Sequence, residues 1–293
     1  MSNTEDVPAD SGDTPPGVDP AKPSPSRMYD YFLGGTDNFA ADRETAEKMK
    51  AGAPDLVDSM WANRGFHGRA AVWMAHRGIK QFIDLGWGLP AQNNTHQAVR
   101  KVIRGARVVY VDSDPMAAAH GGTLLAGDKA TGVIKVDPRD PDQVLSHTVM
   151  RRLIDFGEPT GVLMTTMMHF VADGSDPWGL VRRYMTAVAP GSYLALSQGT
   201  YEGFDPRRIQ AGVEGYAAST EHIHLRSRAE TERFFEGLEL VEPYDGAKPE
   251  VTYAGLWGAE DTEAADSNGS RGLYVGVALR PDEYPPCEGA AGA

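Results

Sequence analysis

The stretch Lys80–Pro90, KQFIDLGWGLP, constrains this chain more than any other. A short apolar run reaches an acidic residue and then Gly86-Trp87-Gly88. A second apolar run downstream, ARVVYVDSD, again closes on acids. A strand ending in a Gly-rich turn lets backbone approach a ligand that a Cβ would exclude. A second strand ending in a carboxylate supplies acceptors for ribose hydroxyls. Together the two runs point to a nucleoside-cofactor site on a parallel sheet.

The rest of the chain fits that reading. Strands are expected at 81–85, 107–111, 132–136, 161–165 and 193–197, with helices between them at 91–104, 115–125, 140–154 and 176–189. Alternation at these lengths implies crossovers onto a parallel, doubly wound sheet. Pro115, Pro141 and Pro177 each fall at a first helical turn. Ser227 followed three residues later by Glu230 is a capping box, opening a helix to 237. Residues 199–220 read as a loop and a short helix. Residues 244–269, polar and Gly-rich, read as an exposed loop. Strands at 238–243 and 272–280 are expected to form an antiparallel edge.

Upstream, residues 1–26 carry many Pro, Gly, Ser and acids and few large apolar side chains, which predicts a disordered tail. Residues 27–78 have helical spacing, with Leu56, Met60, Phe66, Ala70, Trp73 and Met74 on one face. The expected organisation is a tail (1–26), a helical cover (27–78), a Rossmann-like domain (79–280) and a flexible C-terminal tail (281–293).

No apolar run approaches the roughly 18 residues that span a bilayer, so no membrane partner is expected. The N-terminus has neither the basic region nor the apolar core of a signal peptide. The one cysteine, Cys287, excludes an intramolecular disulfide framework and a Cys-based zinc site. A cytoplasmic location follows. The net charge of −13 and scattered basic residues argue against a nucleic-acid surface. A small neutral or cationic substrate, or a protein, suits this charge better.

Four features fall at successive strand ends: Asp84-Leu-Gly86-Trp87-Gly88, Asp112-Ser-Asp114, Asp137-Pro-Arg139-Asp140 and Met168-His169-Phe170. Ligands of open α/β sheets lie outside the carboxyl ends of the strands, so these residues should converge on one crevice. A dinucleotide fingerprint would need a third glycine, which is absent after Gly88. That favours a cofactor without pyrophosphate. His222 and His224 have the spacing of a metal pair but no evident third ligand, so no metal is expected.

In their order these motifs resemble the class I S-adenosylmethionine-dependent methyltransferases. RMYDYFLGGTDNFAADR, FIDLGWGLP, VVYVDSDP, VDPRDP, MHFV and APGSYLALSQ resemble more narrowly an actinobacterial methyltransferase family of mostly unassigned substrate. The resemblance implies a Rossmann-like, mostly parallel seven-stranded sheet, S-adenosyl-L-methionine as cofactor, and a small-molecule methyl acceptor. It implies that Asp84, Gly86 and Gly88 line the methionine and ribose portion. Asp112 would accept from the ribose hydroxyls, and Asp137, with Arg139 beside it, from the adenine amino group. His169 and Phe170 would lie near the methionine portion or the acceptor, and Tyr29, Tyr31 and Asn38 would belong to a lid.

Several residues admit a plainer role. Asp114 can cap the next helix, Asp137 can be a turn residue before Pro138, and Tyr29, Tyr31 and Phe32 can be a packing face. Asn63 and Arg64 either point into the cleft or make helix contacts. His169 titrates in the range of a general base, yet a histidine among Met and Phe is often structural. Trp87 stands where the family pattern has a small residue, and its ring would either stack on the ligand or block it. Occlusion would leave a non-catalytic, cofactor-binding regulatory protein as the alternative function. An acidic rim with lid aromatics would suit a cationic acceptor through cation–π contact.

Overall fold

The computed structural model describes residues 14–89 and 93–285; the expectations for 1–13, for the start of the helix at 91–104 and for 286–293, Cys287 included, lie outside them. Three helices come first: α1 (Pro25–Phe32), α2 (Ala40–Gly52) and α3 (Leu56–His76). The alternating part follows as β1 (Gln81–Leu85), α4 (Thr95–Arg100), β2 (Arg107–Asp112), α5 (Pro115–Leu124), β3 (Thr131–Lys135), α6 (Pro141–Ser146), α7 (Thr148–Leu153), β4 (Gly161–Met164), α8 (Pro177–Ala187) and β5 (Tyr193–Gly199). The C-terminal part holds α9 (Pro206–Ala217), α10 (Arg228–Glu232), β6 (Glu239–Leu240), β7 (Thr252–Tyr253), α11 (Thr262–Ala265) and β8 (Leu273–Leu279).

The strand order is β3-β2-β1-β4-β5-β8-β6, with the two-residue β7 also pairing β8. The first five strands are parallel, and β8 runs antiparallel to β5, β6 and β7. The doubly wound sheet is therefore the expected one plus a short strand. From β1 the chain moves outward to β2 and β3, then returns to the other side of β1 as β4. This switch point opens a crevice at the carboxyl ends of β1 and β4.

Local chemistry explains the boundaries. Asp114, Asp140, Asp176 and Asp205 each cap a helix by accepting a backbone N–H, and each precedes a proline at the first turn. Ser227 and Glu230 form the reciprocal capping box. The helix expected over 140–154 divides at His147, whose ψ of 140° is extended and whose Nδ1 accepts from the Val149 N–H.

Two other expectations change. Residues 14–24 do not belong to a disordered tail: Val18 packs with Leu89, Met116 and Ala117, and Ser24 is buried. Nor is 244–269 simply an exposed loop. Val251, Ala254 and Trp257 are buried, with Trp257 edge-on to Phe66 and Trp73. Arg69 on α3 anchors this segment by donating to the carbonyls of Trp257 (2.7 Å) and Ala254 (2.8 Å). One indole among glycines leaves no periodic trace in a sequence. Among the described residues no helix is long and apolar enough to cross a membrane.

Candidate functional site

A cavity of about 440 Å³ lies over the carboxyl ends of β1–β5, beneath α1, α3, α9 and the strap 17–24. Small-molecule sites have volumes of about 300–1,000 Å³. Asp84, Gly86, Trp87, Gly88, Asp112, Asp137, Arg139, Tyr29, His169 and Phe170 all contribute to its wall. Tyr31 and Asn38 do not. Tyr31 turns outward to donate to Glu47 (2.7 Å), and buried Asn38 donates to Asp30 (2.8 Å).

The turn after β1 brings two acids together. Gly86 and Gly88 have φ of +72° and +69°, conformations that favour glycine, and a Cβ on Gly86 would also press Met167 at 3.0 Å. The Gly88 N–H donates to Asp112 Oδ2 (2.7 Å), and the Asp114 N–H to Asp112 Oδ1 (2.8 Å). Asp112 and Asp84 are both buried, and burial pushes each carboxyl up to about 6. Asp114 accepts the Met116 N–H and the Ser24 hydroxyl, the helix-capping role open to it in the sequence.

Asp84 is aimed by residues that sequence reading missed. Its Oδ2 accepts from the Thr95 hydroxyl (2.7 Å). Having donated its one proton, Thr95 Oγ1 accepts from His67 Nε2 (2.7 Å), so His67 Nδ1 accepts from the Thr165 hydroxyl (2.8 Å). Burial holds His67 down to about 3, which matches a neutral ring of this one tautomer. His67 lies one turn after Asn63 on α3, and that i,i+4 polar pair on an apolar helix face was the available signal. Asn63 and Arg64 both reach the cavity wall; Asn63 donates to Tyr29 Oη (3.0 Å) and accepts from Ser197 (2.7 Å).

The Trp87 ring neither stacks on the cavity nor blocks it. It is buried against Tyr110, centroids 4.3 Å apart and 29° between planes, and a Cβ on Gly121 of α5 would strike it at 2.8 Å. The ring fills the space between β2 and α5, leaving the turn's backbone to the cavity.

After β3, Asp137 accepts from the Arg139 N–H and Nε (2.8 and 2.9 Å), and Arg139 also grips Glu221 through both terminal nitrogens (3.0 and 3.1 Å). That fork ties the segment after α9 to the sheet. After β4, His169 is buried edge-on to Phe170 at 4.5 Å, its Nδ1 has no partner, and burial holds its ring down to about 3.

The RMYDYFLGGTDNFAADR segment builds the cover. Arg27 pairs with Asp42 at 2.7 Å, both buried, while its Nη2 donates to the carbonyls of Asp19 and Lys22 and so folds the strap. Asp30 accepts from Asn38 and from the Asp37 N–H. A Cβ on Gly35 would collide with the Asp30 carboxylate, which accounts for glycine there. The result presents Tyr29 to the cavity.

This arrangement fits an adenosyl amino acid. Asp112 and Asp84 are buried acceptors with spare lone pairs on the cavity wall, where hydroxyls and a cationic ligand would satisfy charges that burial disfavours. Among the described residues no three His, Cys, Asp or Glu side chains are grouped to hold a metal.

Comparison with known proteins identifies the family and the fold. The sequence profile described as S-adenosyl methyltransferase matches residues 11–281. A protein of Thermobifida fusca YX, provisionally described as a methyltransferase, is 38% identical, covers 92% of this chain and 100% of its own, and superposes with a TM-score of 0.84. A DUF574 family protein of Streptomyces avermitilis MA-4680 is 36% identical over 89% of this chain and 98% of its own, with a TM-score of 0.81. No curated protein matches significantly. The chain belongs to the S-adenosyl methyltransferase family, and S-adenosylmethionine is its cofactor.

Proposed function

We propose that the chain transfers the methyl group of S-adenosylmethionine to a small-molecule acceptor held between the ends of β4 and β5 and the helical cover. The observation that carries this is one cavity running from the acids after β1–β3 to the apolar cover of α1, α3 and α9. A reaction site under a cover suits a molecule that enters whole rather than a segment of a macromolecule.

The cofactor supplies an electrophilic methyl group. The chain's own residues then bind, orient and exclude water. Asp112 accepts from the ribose hydroxyls, Asp84 faces the methionine ammonium, and Asp137 lies at the adenine end with Arg139. Tyr29, held by Asn63, and Phe170 close the side from which an acceptor attacks. His169, at about 3, is a hydrogen-bond acceptor rather than a base matched to neutral pH. The occlusion that favoured a regulatory role loses its support, because the Trp87 ring packs in the core.

Calorimetry with S-adenosylmethionine and S-adenosylhomocysteine tests the cofactor assignment, and a screen for S-adenosylhomocysteine release across an acceptor library tests transfer. Absence of binding at high micromolar concentration rejects the proposal, and binding with no turnover in any acceptor class returns the regulatory reading. Replacing His169 with Ala should lower turnover by less than about tenfold and leave cofactor affinity unchanged. A loss of about a hundredfold or more would instead identify a general base.

A further inference from the structure

The cavity wall is divided by charge. Its carboxylates, Asp19, Asp84, Asp112, Asp114, Asp137 and Glu221, come from the strap, from the ends of β1–β3 and from the segment that Arg139 clasps to them. Beneath the cover the wall is mostly apolar, built by Tyr29, Met60, Phe170, Ile209, Tyr216 and Ile223, and the acid that shares a second cavity with Phe170, Glu221, is paired with Arg139. Phe170 and Tyr216 meet edge-on at 5.4 Å there. Arg208 reaches this end with its Nε held by Asp55 at 2.6 Å and its guanidinium over the face of Phe204 at 3.4 Å. Arg64 acts instead on Asp84, His67 and Tyr29, at the boundary between the two ends.

We infer that the methyl acceptor is an uncharged, flat aromatic molecule bearing a hydroxyl, lying between Phe170 and the cover rather than bound as a cation. The inference rests on the methyltransferase reading above. An aromatic cation would have its ring partners at this end, but Glu221 is already neutralised by Arg139, and the cation would sit beside the positive sulfonium. An anion would find the Nε of Arg208 already held by Asp55. The hydroxyl is assigned to His169, which lines the cavity and whose buried Nδ1 makes no hydrogen bond; in the Nε2–H tautomer that nitrogen would accept an O–H. In the reaction a bond forms between the acceptor oxygen and the methyl carbon. The carbon–sulfur bond breaks with its electron pair going to sulfur, and the hydroxyl proton leaves to water. The acidic end faces the cofactor's ammonium and sulfonium, so the division of charge matches each part of the wall to its occupant.

Calorimetry on protein saturated with S-adenosylhomocysteine tests this with three probes of similar size: 2-naphthol, the trimethylanilinium cation and 2-naphthoate. The expected result is one saturable site with 2-naphthol bound at least about tenfold more tightly than either ion. Equal or tighter binding of the cation or the anion overturns the inference while leaving the methyltransferase reading intact. Failure of S-adenosylhomocysteine itself to bind removes both. The Ile209→Asp variant, at a half-exposed position of α9, should lose about tenfold or more in 2-naphthol affinity and keep its S-adenosylhomocysteine affinity within about twofold. Unchanged naphthol affinity in that variant, with the cofactor still bound, places the ring elsewhere and also overturns the inference.

Discussion

Asp112 joins two tasks at one side chain: it pins the Gly88 turn and the start of α5, and it stands on the cavity wall. Its replacement by Asn should weaken S-adenosylhomocysteine binding by about ten- to hundredfold, the ~1.5–3 kcal/mol of hydrogen bonding to a charged group. Because burial raises Asp112 and Asp84 to about 6, lowering the pH through that value protonates both in the free protein and should weaken the ligand. The stability effect has the opposite sense. The native state holds these protons where the unfolded chain has released them, so stability falls as pH rises from about 4 to about 6. Calorimetric titrations and melting curves across that range check both signs, and Asp112→Asn should flatten each. Trp87 separates a core role from a ligand role. Trp87→Ser should cost about 3–5 kcal/mol by emptying the space against Tyr110 and Gly121, with no gain in cofactor affinity. A gain in affinity measured by titration would restore the occluding ring. The sequence placed Trp87 at the turn but could not say which way its ring pointed. That direction depends on Gly121, remote in sequence, leaving room beneath α5.

Elements were legible where local chemistry sets their ends. The Asp-Pro starts of α5, α6 and α8 and the apolar runs of β1, β2 and β5 lie within a few residues of expectation. Helix α9 was less so: the expected short helix is a twelve-residue element packed on α2, with one buried side chain, Tyr216. Its packing on α2 is joined by clasps at its ends: Arg208 to Asp55 at the start, and Glu221 to Arg139 just beyond the end. Glu221→Gln should therefore raise the dissociation rate of S-adenosylhomocysteine by about twofold to fivefold, the scale of a part-exposed ion pair of ~0.2–1 kcal/mol. Stopped-flow measurements should give a wild-type rate that climbs with salt toward that of the variant. A wild-type rate independent of salt would rule out this clasp.

At the scale of the whole molecule, the sheet supplies the acid end of the cavity and the N-terminal segment supplies its roof. Val18 of the strap closes on Leu89 and Met116 beside the Asp112 turn, and Arg27 and Asp42 hold the strap in place from the cover. Removing residues up to Lys22 should lower S-adenosylhomocysteine affinity by roughly tenfold or more, the ~1.5 kcal/mol expected from burying one valine. An affinity unchanged by the truncation, measured by calorimetry, would detach the strap from the site. The alternation of strand and helix, the order of the strand-end acids and the glycines of the first turn are properties of contiguous residues, so the sequence by itself determined the fold class and pointed to the crevice, while the cofactor came from the resemblance of its motifs to a known family. Only the tertiary structure decided that Tyr31 faces solvent, that Asn38 serves Asp30, that His67 aims Asp84 through Thr95, and that residues 14–24 close the cavity. Each of those outcomes depends on a partner distant in sequence or on which face of a helix meets the cover. One-dimensional spacing carries a residue's place along its element, whereas its partners are set by how the elements pack.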